Sequence, residues 1–218
     1  IKFLLNEKAP TNKALFNAVS TRDLEIVDLI LSYNSKPSFI NQKTHYGTAM
    51  HLAVQENSTE IVKRLLSVPG IDPSISNHKD DTPLTLAIRN VNYLIFDALI
   101  SFFEDKIDDY IWTIIKTLKT MNKHCFYEKL EDETPWRMLE RILSIKSINP
   151  NFYDHSTFLY QACLFNQPDM VEFLLSLEKI DVNKCEASRY YTPLMIAIEK
   201  QYPEIVKLLL DHPKTDIN

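Results

Sequence analysis

Four hexapeptides in this chain follow one pattern: TAMHLA at 48–53, TPLTLA at 82–87, TFLYQA at 157–162 and TPLMIA at 192–197. Self-similarity at a fixed period restricts a chain to architectures in which each copy is stable only against its neighbours. The leading threonines are 34, 75 and 35 residues apart, and the middle interval is two periods plus a small insertion. KALFNA at 13–18 lies 35 residues before the first of them, with lysine in place of threonine.

A second pattern follows most of these segments at constant distance: EIVDLIL at 25–31, EIVKRLL at 60–66, DMVEFLL at 169–175 and EIVKLLL at 204–210. Apolar residues at i, i+1, i+4 and i+5, such as Ile61, Val62, Leu65 and Leu66, fall on one helical stripe with the charges opposite. Three stripes lead into short links, GIDPS at 70–74, KIDVN at 179–183 and KTDIN at 214–218. The unit is therefore helix, tight turn, helix, extended connector. Thr82-Pro83 and Thr192-Pro193 supply a hydroxyl N-cap and then a residue whose fixed φ suits the first helical position. Pro135, Pro168 and Pro203 stand in the same way before second-helix stripes.

The middle interval hides a worn copy. LERILSIKSINPNF at 139–152 repeats VKRLLSVPGIDPSI at 62–75, and Thr134-Pro135-Trp136 starts that second helix. Its first helix is expected over 108–121, where Ile111, Ile114, Ile115, Leu118 and Met121 keep helical spacing, followed by an unusually long link at 122–133. IKFLL reads as the tail of a preceding second helix, within 1–8. The final connector is expected to lead into a further copy.

Composition closes several alternatives. Only 2 glycines occur, against about fifteen at an average usage of ~7%, which disfavours Gly-rich phosphate loops and hairpin-rich folds. A net charge of −5 disfavours nucleic acid, whose binders carry a basic stripe. The longest apolar run, YLIFDALISFF at 93–103, contains Asp97 and is half the length of a membrane span, so it is expected to be a core helix. No membrane insertion is expected. Cys125, Cys163 and Cys185 are odd in number and widely spaced, which suggests a reduced, cytoplasmic protein. No pair of the six histidines sits at i, i+4, no cofactor motif is present, and catalysis by the adjacent His124 and Cys125 lacks an orienting third group. Asp80-Asp81 and Asp108-Asp109 read as helix-start carboxylates.

T-P-L-x-x-A, the IVxxLL stripe and the terminal DxN at this period resemble the ankyrin repeat, in a spelling similar to arrays of protists. The tetratricopeptide repeat has a comparable period but demands Trp, Gly and Tyr spacings that are missing here. The resemblance implies an all-α ankyrin-repeat α-solenoid of stacked helix pairs with short extended connectors. It would be one array over 1–218, with copies at roughly 13–42, 46–77, 80–105, 107–152 (degenerate), 155–185 and 190–218. The family's Thr-Pro-Leu-His corner, tied by its histidine, survives only at Thr48–His51; Thr85, Tyr160 and Met195 replace that histidine elsewhere. The family's inter-helix glycine is replaced by Arg22, Asn57, Val91, Asn166 and Gln201. Arg, Gln and above all Val tolerate positive φ poorly, which predicts turns that differ along the array.

The resemblance further implies a non-enzymatic scaffold that binds a protein or peptide on its concave face and connector tips. Transferred by position, the contact residues are Tyr46, Lys79, Asp81, Arg89 and Asn90, then Tyr153, Asp154, Leu164, Phe165, Arg189, Tyr190, Tyr191, Glu199 and Lys200. Tyr153, Phe165, Tyr190 and Tyr191 are expected to be exposed, as aromatic anchors are. The alternative is a targeting module of a larger enzyme or effector; self-association through open array ends is a further expectation.

Overall fold

The computed structural model describes residues 11–103, 107, 110, 113–114, 117, 134–145, 149–151 and 156–217. The expected N-terminal tail, most of the expected helix over 108–121, the link at 122–133, Tyr153, Asp154 and His155 lie outside these residues. The chain divides into two compact units, 1–121 and 122–218. Among the described residues every regular element is a helix, with one isolated bridge between Thr44 and Gly47.

The first unit contains α1 (Thr11–Ser20), α2 (Leu24–Tyr33), a single turn α3 (Pro37–Ile40), α4 (Ala49–Gln55), α5 (Thr59–Leu66), α6 (Pro83–Arg89) and α7 (Tyr93–Phe102). First helices α1, α4 and α6 pack side by side, second helices α2, α5 and α7 do likewise, and each first helix packs on the second helix that follows it. The second unit contains α8 (Thr134–Leu143), α9 (Phe158–Leu164), α10 (Pro168–Ser176), α11 (Pro193–Glu199) and α12 (Pro203–Asp211). Here α9 lies on α11, and α10 lies between α8 and α12. This is the α-solenoid arrangement expected from the period.

The helices begin where the caps place them. Thr82, Thr157 and Thr192 accept the N–H of the residue three positions on through their hydroxyls, at 3.3, 3.1 and 3.2 Å. Pro83, Pro168, Pro193 and Pro203 occupy the first helical turn. The apolar stripes form the core: Ile61, Val62 and Leu65 on α5, and Ile95, Phe96, Leu99 and Ile100 on α7, are buried. The apolar run at 93–103 is thus a core helix. The worn copy keeps its second helix, with Trp136, Met138, Leu139, Ile142 and Leu143 buried on α8.

One expectation is overturned. The five turns between paired helices share one conformation, with φ of 56° at Arg22, 54° at Asn57, 53° at Val91, 53° at Asn166 and 58° at Gln201. Backbone hydrogen bonding is the reason. In every turn the next residue's N–H reaches back to the carbonyl of the repeated alanine: Asp23 to Ala18 (3.3 Å), and Ser58 to Ala53, Asn92 to Ala87, Gln167 to Ala162 and Tyr202 to Ala197 (3.0 Å each). This six-residue closure caps the first helix in left-handed conformation. It overrides a side-chain penalty of about 1–3 kcal/mol per residue.

Candidate interaction surface

Three connector tips are described, and each is closed by its own backbone. At 44–47, Thr44 N–H donates to the Gly47 carbonyl at 2.8 Å and Gly47 N–H donates back at 3.1 Å. Gly47 has φ of 107°, and a Cβ there would lie 2.7 Å from Cγ of His51. At 77–81, Asn77 N–H donates to the Asp81 carbonyl at 2.8 Å, while Asn77 Oδ1 accepts from the N–H groups of Lys79 (2.8 Å) and Asp81 (3.1 Å). At 186–191, Glu186 N–H donates to the Tyr191 carbonyl at 2.9 Å, and the Glu186 carboxylate accepts from N–H of Ser188 (2.9 Å), N–H of Arg189 (2.8 Å) and the Ser188 hydroxyl. The Ser188 hydroxyl above all, with the two N–H groups, holds the Glu186 carboxyl below the usual carboxylate range.

Asn77 and Glu186 thus organise equivalent tips, and the sequence reading passed over both. Their signal is a side-chain acceptor that captures N–H groups two or more residues on, the Asx-turn device.

The first two tips are tied to α4 and to each other. His51 is buried; its Nδ1 accepts from Thr48 N–H at 3.1 Å, so its Nε2 carries the proton and donates to the Asp81 carbonyl at 2.9 Å. The corner expected from Thr48–His51 is therefore present, and it also grips the following connector. Thr85 substitutes for that imidazole at its own corner, its hydroxyl accepting from Thr82 N–H at 2.9 Å. Desolvation lowers the His51 pKa despite the opposing hydrogen bond to Asp81.

A second set of links joins connectors along the array. Asn41 donates to the Gly70 carbonyl (2.8 Å) and accepts from Asp72 N–H (2.9 Å). Asn151 does the same to Lys179 (2.5 Å) and Asp181 (2.6 Å), and Asn183 to Lys214 (2.8 Å) and Asp216 (2.9 Å). Asn183, which ends a DxN, is thus a clamp on the next connector, and Asn41 and Asn151 clamp in the same way without the preceding aspartate. Surface ion pairs Arg22–Glu56 (3.0 Å) and Arg64–Asp28 also span one period.

The predicted contact residues separate on this frame. Tyr46 and Tyr190 stand out from their tips, 68% and 76% exposed. Beside Tyr46, His45 meets its ring edge-on at 5.4 Å, and His45 stacks on His78 of the next tip at 4.7 Å. Lys79 and Arg189 are exposed at the tips; Arg89 and Asn90 at the end of α6, and Glu199 and Lys200 at the end of α11, are exposed on first helices. Leu164, Phe165 and Tyr191 are half-buried, so Phe165 and Tyr191 fall short of the exposure expected of them. Phe165 is the C-cap of α9, which keeps its backbone in the turn. Asp81 is buried, its carboxylate 2.9 Å from Nη1 of Arg89 and its carbonyl held by His51, so its role is inside the fold. Among the described residues no group of three or more metal-ligating side chains converges, and no helix is long and apolar enough to cross a membrane. His124 and Cys125 lie outside the described residues.

Comparison with known proteins places this geometry in context. A family model described as ankyrin repeats (3 copies) matches residues 15–109 and 132–218. A putative ankyrin repeat protein of fowlpox virus (strain NVSL) is 29% identical over 134 residues, which is 62% of this chain and 21% of the viral protein. The chain thus spans about a fifth of that relative's length. A putative ankyrin repeat protein of Rickettsia bellii (strain RML369-C) is 35% identical over 71 residues, covering 32% of this chain and 69% of the relative. The crystal structure of an ankyrin repeat protein superposes with a TM-score of 0.60 at 20% identity, covering 91% of this chain and 97% of the other. An ankyrin repeat domain from Acinetobacter baumannii AYE gives 0.58 at 19% identity, with coverage of 90% and 95%.

Proposed function

Because the chain belongs to the ankyrin repeat family, whose arrays are generally protein-interaction modules, we propose that it is a non-catalytic scaffold holding a protein or peptide against its first-helix face and connector tips. The observation that carries this reading is the presentation of Tyr46 and Tyr190. Both are large aromatics left outside the core, on tips closed by backbone hydrogen bonds. A tip of this kind is preorganised, so docking on it costs little ordering entropy, and exposed tyrosines beside Arg189 and Lys79 are the residue types that dominate binding energy.

The test places a photo-crosslinking residue at Tyr46, at Tyr190, and as control at Lys63 on the outer side of α5. Adducts with a partner at the two tips and not at Lys63 support the reading; adducts only at Lys63 refute it. A second reading, the targeting part of a larger enzyme or effector, has in its favour the much greater length of the poxvirus relative. A catalytic domain in the same polypeptide would favour that reading over the first.

A further inference from the structure

Charge is not spread evenly over the first unit. Helices α1, α4 and α6 contain no aspartate or glutamate, and their only full charges are Lys13 and Arg89. Helices α2, α5 and α7 hold Glu25, Asp28, Glu60 and Asp97 against Lys63 and Arg64. The connector tips extend the basic side. Lys43 and Lys79 are exposed, and among the described residues neither is in an ion pair. Asp80 is the one exposed carboxylate at these two tips, because Asp81 is 4% exposed and is engaged by Arg89. A chain of net charge −5 thus carries a locally cationic surface on the first-helix side of this unit.

The two tips are also fastened together. The rings of His45 and His78 stack, 4.7 Å between centroids with planes 13° apart, and Tyr46 meets His45 edge-on. Lys43 lies two residues before one stacked ring and Lys79 directly after the other, so a cation borders this aromatic platform on each tip. Arg89 ties the platform to α6: its Nη1 donates to the Asp81 carboxylate at 2.9 Å, yet its side chain is 53% exposed, so the guanidinium keeps donors for a second carboxylate. We propose, resting on the scaffold reading above, that this platform takes an acidic peptide. Its carboxylates meet Lys43, Lys79 and the remaining donors of Arg89, and an apolar or aromatic side chain beside them lies on Tyr46 and the imidazole stack. The cationic surface is confined to a few side chains, which suits a short acidic segment; a nucleic-acid strand would run on into the acidic surroundings of the same chain.

The test selects binders from a display library of random dodecapeptides on the 218-residue chain. Selected peptides are expected to be enriched in Asp and Glu beside an apolar or aromatic residue, and their affinity to fall as salt is raised. Lys43→Glu combined with Lys79→Glu, both at exposed positions that leave the thermal transition in place, weakens their binding about tenfold. Peptides with the acids replaced by lysine bind that double variant better than the wild type. Selected peptides without an acidic bias, or acidic ones that bind the double variant as tightly as the wild type, overturn the proposal. So does a labelled oligo-dT strand that binds more tightly than any selected peptide. Partner crosslinks at Tyr46 alongside such an outcome leave the scaffold reading standing and remove only its acidic specificity; crosslinks only at Lys63 remove both.

Discussion

Nε2 of His51 donates to the backbone carbonyl of Asp81, 30 residues downstream, at 2.9 Å. One neutral imidazole thereby closes its own helix corner and fastens the next connector. Keeping it neutral has a pH consequence. In the unfolded chain this histidine titrates near 6.5; in the fold its pKa is lowered, chiefly by burial. As pH falls below about 6.5, the unfolded state binds a proton that the native state refuses, so stability declines by up to about 1.4 kcal/mol per pH unit until the folded pKa is reached. Denaturant midpoints between pH 7 and 5.5 should fall in the wild type and fall less in His51→Thr, which borrows the corner used at Thr85. Equal slopes in the two proteins would refute the assignment.

Val91 carries the most strained turn, since a β-branched residue at φ of 53° is an outlier where asparagine or glycine is not. Val91→Gly should stabilise the chain by about 1 kcal/mol, read as an upward shift in melting temperature. Val91→Asn, copying Asn57 and Asn166, should give part of that gain. A loss in both variants would mean that the half-buried valine side chain contributes more by packing than its backbone costs.

The connector clamps are exposed, so their groups regain water when the clamp is cut. Asn151→Ala removes two hydrogen bonds to residues 179 and 181 and should cost about 1 kcal/mol in chemical denaturation. Asn183→Ala should do the same at the following joint, and hydrogen exchange should quicken at the Asp216 amide in that variant alone.

Cys163 is fully buried on α9, and burial pushes its thiol up to about 12. At pH 8 it should resist alkylation in the native chain while the half-buried Cys185 reacts. Modification of Cys163 should appear only with denaturant, which mass spectrometry of digested peptides would show.

Periodicity made the repeat, the helix pairs, the threonine caps and the proline starts readable before any coordinates. Those signals are local, and each rests on one residue type with one physical use. What was not readable depended on neighbours one period away. The five inter-helix residues were identified by position, yet Arg22, Val91 and Gln201 argued for differing turns, because the alanine carbonyl that closes each turn has no signature beyond being alanine. Asp81 looked like a surface contact until Arg89 and His51 were seen to occupy it. Phe165 and Tyr190 were both read as exposed aromatics, but only Tyr190 projects from its tip, because Phe165 ends a packed helix. Asn183 was visible as the end of a DxN motif, but its grip on the next connector, shared by Asn41 and Asn151 outside that motif, required the third dimension.

That grip has an evolutionary side. Each asparagine latches onto the connector one module ahead, so a genetic exchange that inserts or deletes a whole module leaves every latch with something to hold. A breakpoint inside a module strands one of them. Arrays built this way are free to lengthen or shorten over generations, provided that they keep phase.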